Sequence, residues 1–287
     1  HIQKTKDFIL KNTDLFLDGD IFNACPECEN GGPGDPRNNG DVNGHRKFII
    51  DEYKVTKDAF AKIGKNVASN YFSMNGDVAK LVMDKDTTKA LDGLVVVDHY
   101  VKSTDRLASD IKKLAQSSGG KIVLGEFGAP IPDIHGKMDD QAQAEWVVSA
   151  LDKLSNIDEL VGVNYWVGFG GSTEIWNTSD GFERTAVSKL RNYFSPKIFT
   201  GRILNTLGKP IDNINITYLN RTILTKDGTF GISFAQNGAS LYVSANGYKS
   251  RVIVLDEKST NNLVYLDREN PDFWWKVGEL LHRLKIL

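Results

Sequence analysis

Two cysteines, Cys25 and Cys28, are all that 287 residues contain. One pair builds neither a disulfide framework nor a complete four-cysteine zinc site, so stability has to come from packed cores. A surplus of one charge is missing too: 35 Lys and Arg stand against 37 Asp and Glu, a formal net charge of −2. Proteins that hold nucleic acid through its phosphates carry a basic excess, so no nucleic-acid partner is expected. Nor is there any run near the ~18 apolar residues that would cross a bilayer. What remains is ordinary globular usage, 40% apolar and 25% charged, without internal repeats or low-complexity tracts. The length suits one or two domains at roughly 100–200 residues each.

The chain opens on His1 rather than Met, already in a helix-like stretch, Ile2 to Leu17, with Phe8, Ile9, Leu15 and Phe16 as its apolar face. The natural start is therefore expected upstream. The lack of a secretory leader pattern here counts neither way.

From Asp20 to about Ser195, short apolar runs alternate with longer amphipathic ones, the pattern of parallel strands joined by crossover helices. Five strands are expected, Asp20–Cys25, Asn66–Phe72, Leu94–His99, Lys121–Phe127 and Val161–Val167, the last four as buried runs because they show little alternation. Helices are expected near Arg46–Ile63, Asp77–Leu91 (with a break), Thr104–Ser117, Asp139–Leu154 and Phe182–Tyr193. Asp139 and Asp140 mark a helix start, where the dipole favours negative charge.

After Pro196 the texture changes to short alternating segments: Phe199–Asn205, Asn215–Leu219, Arg221–Thr225, Thr229–Phe234, Ala239–Ala245 and Ser250–Asp256. They are separated by Leu207–Gly208, Asp227–Gly228, Asn237–Gly238 and Asn246–Gly247, and Asx-Gly between alternating runs signals hairpins. The expected organisation is an α/β domain over residues 1–197, a small all-β sandwich over 198–268 and an amphipathic helix over 269–287, with Phe273, Val277, Leu280, Leu281 and Leu284 on one side.

In a parallel α/β barrel the functional side chains sit at the C-terminal ends of strands. The residues ending each run here are Asn23 to Glu29, Ser73-Met74-Asn75, Asp98-His99-Tyr100, Gly125-Glu126-Phe127-Gly128 and Asn164-Tyr165-Trp166. Carboxylates, an amide, an imidazole, a phenol and an indole would thus share one rim. Glycoside hydrolysis uses such a set: one protonated carboxyl for the leaving oxygen, one ionised carboxylate to attack or to activate water, and an aromatic face for the sugar ring.

On these residues the run from Asp20 to Trp176 resembles strands four to eight of the retaining (β/α)8-barrel glycoside hydrolases related to cellulases, mannanases and β-glycosidases. The resemblance implies a hydrolase acting on O-glycosidic bonds of a polysaccharide or oligosaccharide, with Glu27 as acid/base, Glu126 as nucleophile, His99 and Tyr100 as the strand-six pair and Trp166 as a sugar platform. Asn75, Glu29 and Trp176 join these as candidate substrate contacts. No metal or other cofactor is implied. One departure is plain: the clan places Asn before the acid/base Glu, and Pro26 stands there. This leaves the sugar 2-hydroxyl without an assigned contact and Glu29 as a rival acid, with Glu27 preferred for its closeness to the strand end. Strands one to three are expected to lie outside this sequence, so that the half barrel alone would expose an edge and half a core. The stretch from about Ile198 to Asp267 resembles carboxypeptidase-regulatory-like, transthyretin-like sandwiches through Gly201-Arg202-Ile203, Gly208 to Ile211 and Thr225 to Phe230. Such modules are appendages of secreted or surface proteins, which implies an extracellular or cell-surface location and a spacing or interaction role.

Plainer readings stand beside these. The barrel would also serve a non-catalytic glycan-binding or surface-attachment protein. Cys25-Pro26-Glu27-Cys28 has redox-motif spacing, yet such motifs open helices, so a local disulfide or a pair of thiols shaping the acid loop is preferred. Asp98 and His99 fit a satisfied core pair equally well. Asn75 is more readily a helix cap than a sugar ligand. Trp176 and the loop Phe169 to Ser172 would either extend the cleft or close on themselves. In the tail, Phe273-Trp274-Trp275 beside Lys276 suits either a membrane surface or packing on the protein.

Overall fold

The structure is a computed structural model, and it describes residues 1–218, 221–235, 238–256 and 262–284. The chain divides into two compact units, His1–Val187 and Ser188–Leu287.

The first unit runs α1 (Ile2–Lys11), β1 (Ile21–Asn23), α2 (Pro36–Asn39), α3 (Val42–Lys62), β2 (Ala68–Tyr71), β3 (Ser73–Asn75), α4 (Gly76–Val82), α5 (Lys85–Ala90), β4 (Leu94–Asp98), α6 (Thr104–Ser118), β5 (Lys121–Phe127), α7 (Pro132–His135), α8 (Asp140–Leu154) and β6 (Leu160–Tyr165). A further helix, α9 (Thr185–Phe194), spans the division. All strand pairs in this unit are parallel: β1 with β2, and β3-β4-β5-β6 in chain order, with only Phe72 between β2 and β3. Parallel neighbours in sequence order place every strand's C-terminal end on one side, which is what collects the candidate residues.

Helix starts follow local chemistry. Asp139 caps α8 by accepting from the Ala142 N–H at 2.8 Å, and Ser103 caps α6 through the Arg106 N–H at 3.3 Å. Each such cap satisfies a donor that the helix itself leaves open. The expected break in Asp77–Leu91 is real: α4 stops at Val82, and Asp84 caps α5. The first helix is shorter than its apolar pattern suggests. It ends at Lys11, so Ile9 and Phe16 are buried while Phe8 and Leu15 face outward. Ile9 and Phe16 join Ala59 and Phe60 in a cluster against α3.

The strands differ from the expectation of four buried runs. Only β4 is buried along almost its whole length, and β6 is largely open, with Val161 56% exposed. The reason is position: β6 is an edge of its sheet among the described residues, so one flank and part of one face have no neighbour. The first strand is also shorter than expected, ending at Asn23 where the chain turns into the loop closed by the Cys25–Cys28 disulfide.

The second unit holds β7 (Lys197–Asn205), β8 (Ile214–Tyr218), β9 (Arg221–Thr225), β10 (Thr229–Phe234), β11 (Ser240–Ser244), β12 (Arg251–Val254), β13 (Asn262–Leu266) and α10 (Phe273–Arg283). Two sheets, β10-β7-β13 and β12-β11-β8-β9, contribute to one apolar core. Phe230, Ile232 and Phe234 of β10 alternate into it. The final strand β13 was not expected; it pairs parallel to β7, so no tight turn announces it. Leu219, Asn237 and the end of the tail, 285–287, lie outside the described residues. The tail helix is tied to its own unit. Asp272 caps it, Glu279 meets Thr206 and the Trp275 indole N–H, and Arg268 lies 4.7 Å over the Trp275 ring. Trp274 remains 78% exposed. Among the described residues no helix is long and apolar enough to cross a membrane.

Phe60 is fully buried, with the Phe16 and Phe22 rings at 4.9 and 5.4 Å. Phe60→Ala should cost about 3–5 kcal/mol of stability, read from amide hydrogen exchange in α3. A loss below about 1 kcal/mol would show that this cluster does not hold α1 to α3.

Candidate active site

The β4–β5 register decides which side chains meet. Val97 lies opposite Leu124, but Asp98 lies opposite Glu126, so the pairing skips Gly125. A regular ladder would have set Asp98 beside Gly125; the one-residue bulge brings Asp98 level with Glu126. Glycine at the skipped position leaves room for Asp98, because a Cβ there would sit 2.5 Å from Asp98 Oδ1 and displace that carboxyl. Two residues beyond Glu126, a Cβ on Gly128 would lie 2.4 Å from the Trp166 carbonyl oxygen. These close approaches account for the glycines that frame Glu126.

Glu27 arrives from the other direction. It stands in the left-handed region with φ of 45°, inside the turn closed by the Cys25–Cys28 disulfide. Its backbone N–H donates to Ser73 Oγ at 3.2 Å, and the Asn30 side chain donates to its Oε2 at 3.0 Å. The outcome is a group of three: Glu27, Asp98 and Glu126 each place a carboxyl oxygen within 4.8 Å of the others. Those three are also the side chains that could offer ligand atoms to a cation.

The three differ in surroundings. Glu126 receives the Tyr100 hydroxyl proton at 2.9 Å. Burial pushes the Glu126 carboxyl above its ordinary value, the Tyr100 bond works against that rise, and the Glu27 charge adds to it. Asp98 is only 2% exposed, and neither oxygen has a hydrogen-bond partner. Burial, then the Glu126 charge, push it up to about 7, opposed in part by the Ser73 hydroxyl, which lies near without forming a well-placed bond. Tyr100 is likewise held well above its usual range by burial and then by Glu126. A cavity of about 470 Å³ opens over Asp98 and Glu126, with Asn23, Tyr71, Val123 and Asn164 among its walls.

The other candidates fall around this group in distinct ways. Glu29 does not join it. Glu29 is 5% exposed, and its Oε1 accepts the Asn75 N–H at 2.7 Å, which ties the acid loop to the end of β3. His99 is buried, but its partner is Asp110 on α6, 3.0 Å from Nε2, and not the adjacent Asp98. Burial holds the His99 imidazole below its usual value, against the pull of Asp110. Asn75 uses its carbonyl oxygen to cap α4 at the Asp77 N–H, 2.9 Å, and to take Arg37 at 3.2 Å. His99, Tyr100, Asn75, Lys102 and Arg106 line a second hollow of about 440 Å³. Trp166 follows β6 and is 47% exposed. Trp176 stacks on Phe169 at 5.6 Å, so this loop does close on itself.

No family model matches this chain, and no curated protein does. Solved structures resemble it faintly. A structure of fungal β-1,4-galactanases is 14% identical with a TM-score of 0.47, over 65% of this chain and 65% of that one. An endo-β-1,3-glucanase from Amycolatopsis mediterranei, in complex with laminarihexaose, is 12% identical with a TM-score of 0.45, over 64% of this chain and 76% of that one. β-Glucuronidase 2 from Bacteroides uniformis is 9% identical with a TM-score of 0.39, over 84% of this chain and 33% of that one. These neighbours are glycoside hydrolases. The chain spans 33–45% of the length of the β-glucuronidases from Bacteroides uniformis and Facaelibacterium prausnitzii among them.

Two residues of the site escaped the sequence reading. Asp98 reads as the start of an Asp-His-Tyr strand end, and only the bulge reveals that it faces Glu126. Gln143, on α8, is fully buried and donates to the carbonyl oxygens of Ala129, Thr173 and Glu174 at 2.9–3.2 Å. It fastens the loops after β5 and β6 beneath the rim. Its only signal in the sequence was an amide on the apolar side of a helix.

Tyr100→Phe removes the hydrogen bond that opposes the rise in Glu126, so the Glu126 carboxyl should titrate higher. Carbon-13 NMR of labelled glutamate reads this directly. An unchanged or lower midpoint would mean that the bond does not act on Glu126.

Proposed function

We propose that this protein hydrolyses O-glycosidic bonds with retention of configuration, Glu126 serving as nucleophile and Glu27 as acid/base. The observation that supports it is the approach of the Glu27 and Glu126 oxygens to within 4.8 Å, with an open hollow beside Glu126. Retaining pairs lie about 5–5.5 Å apart, whereas inverting pairs need about 6.5–9.5 Å to admit a water.

In the first step Glu126 attacks the anomeric carbon while the bond to the leaving oxygen breaks, and Glu27 delivers its proton to that oxygen. The glycosyl ester on Glu126 is then opened by water, whose proton passes to Glu27. Tyr100 donates to Glu126 Oε2, which orients the carboxylate and leaves its other oxygen for the attack. Glu27 faces solvent at the loop tip, where a leaving group can depart and a water can enter. In this reading the exposed Trp166 would supply a sugar platform, and His99 with Tyr100 would line a second hollow, with a polysaccharide or oligosaccharide as substrate.

The first unit would then be strands four to eight of a (β/α)8 barrel, and the second a transthyretin-like sandwich acting as spacer on an extracellular or cell-surface protein. The tail helix, with Phe273 and Trp274 exposed, would offer contact with a membrane surface. A second reading, a glycan-binding protein without turnover, is favoured by one feature: Pro26 occupies the place of the amide that the clan uses beside its acid.

Glu126→Gln in the full-length protein should lower kcat by roughly 10³-fold or more with the circular dichroism unchanged. Glu27→Gln should slow glycosides with poor leaving groups far more than those with good ones, because only the former need the proton. Proton NMR of the first product should show the substrate's anomer. Inverted product, or full turnover by the Glu126 variant on every glycan cleaved by the wild type, would contradict the assignment. Glycan binding without any product would favour the second reading.

A further inference from the structure

The two-carboxylate mechanism leaves the third member of the cluster, Asp98, without a task. Its environment is not that of a structural acid. It is 2% exposed, both oxygens lack hydrogen-bond partners, and it stands beside two other carboxyl groups within 4.8 Å. A buried carboxylate is normally paired or supplied with donors. The local backbone goes out of its way to put it there, since the bulge at Gly125 sets it level with Glu126 and the missing Cβ makes room for it.

We propose that Asp98 is a positioning residue that works as a neutral carboxylic acid, keeping its own proton so that no second buried negative charge stands beside Glu126 and Glu126 can stay ionised. This rests on the retaining reading and explains how its proton distribution is kept. Full ionisation of three carboxyl groups this close, one of them buried without a hydrogen-bond partner, is costly, and burial raises both Asp98 and Glu126. The proton settles where charge is least supported. Glu126 has the Tyr100 hydroxyl, and Glu27 has the Asn30 amide and solvent. Asp98 has neither. The titratable groups that act on it are Glu126 from β5, Glu27 and Glu29 from the loop after β1, and Tyr100 just past its own strand, all of them acids. Its titration is displaced upward accordingly, to about 7. Above that pH a second negative charge appears next to Glu126, and turnover falls through a proton that belongs to neither catalytic residue.

The test is carbon-13 NMR of the full-length protein carrying aspartate labelled at Cγ, with Asp98→Asn to identify the signal. A midpoint near 7 is expected; one near the ordinary aspartate value of about 3.9 would overturn the proposal. This readout needs no turnover, so it stands or falls separately from the hydrolase reading. In kinetics, Asp98→Asn mimics the neutral acid and should lose about three- to tenfold in kcat at pH 5.5, while its alkaline limb moves up by about one unit or more. An alkaline limb superimposable on that of the wild type would count against the proposal. If added magnesium or calcium chloride drives the Asp98 midpoint below about 5, the cluster relieves its repulsion with a cation instead, and the proposal is wrong.

Discussion

The close approach of three carboxyl groups, Glu27, Asp98 and Glu126, is the constraint that the surrounding structure has to support. Like charges at this distance in a partly desolvated site are costly, so something must hold them together. Three features do so. The bulge at Gly125 aligns Asp98 with Glu126. The disulfide turn, together with the bond from the Glu27 N–H to Ser73, fixes the approach of Glu27. The bond between Glu29 and the Asn75 N–H anchors the same loop to β3. Beneath them the apolar contacts of β4 and β5, with Val95, Val97, Ile122, Leu124 and Phe127 all buried, supply the stability that such a site consumes.

Much of this layout was legible in the residues, and for definite reasons. Parallel buried strands carry runs of Val, Ile and Leu, so Leu94–Asp98 and Lys121–Phe127 stood out almost to the residue. Acidic and Ser caps located α6 and α8. Strand ends on a parallel sheet share one side, which is why Glu27 and Glu126, distant in sequence, were expected to meet. Other features had no local signal. A bulge is a property of two strands together, so the inward turn of Asp98 lay hidden. The partner of His99 was sought next door, whereas helix α6 brings Asp110 to it from a turn of chain that pattern alone does not orient. The openness of β6 follows from its place at a sheet edge and not from its Val-rich composition. The parallel strand β13 came without a hairpin turn.

Glu29 shows how a motif can mislead. Two residues after Glu27 and chemically identical, it competes for the acid role on paper. A single hydrogen bond to a backbone N–H assigns it elsewhere: it is buried as a clamp for the loop, while Glu27, held in a left-handed backbone conformation, projects toward Glu126. Gln143 plays a comparable supporting part on the opposite side, where one amide gathers three carbonyl oxygens of the loops that frame the rim. Side chains of the same type thus divide between chemistry and scaffolding according to which backbone groups lie within reach.

Retaining hydrolysis by this site would require Glu126 to form a covalent bond to the sugar during turnover. The most direct measurement is peptide mapping by mass spectrometry after the full-length protein has been treated with a slow 2-deoxy-2-fluoro glycoside of a sugar it cleaves. A single glycosyl adduct is expected, on the peptide that contains Glu126 and on that side chain. An adduct on Glu27, Glu29 or Asp98 would contradict it, as would cleavage of the reagent with no covalent species at any time.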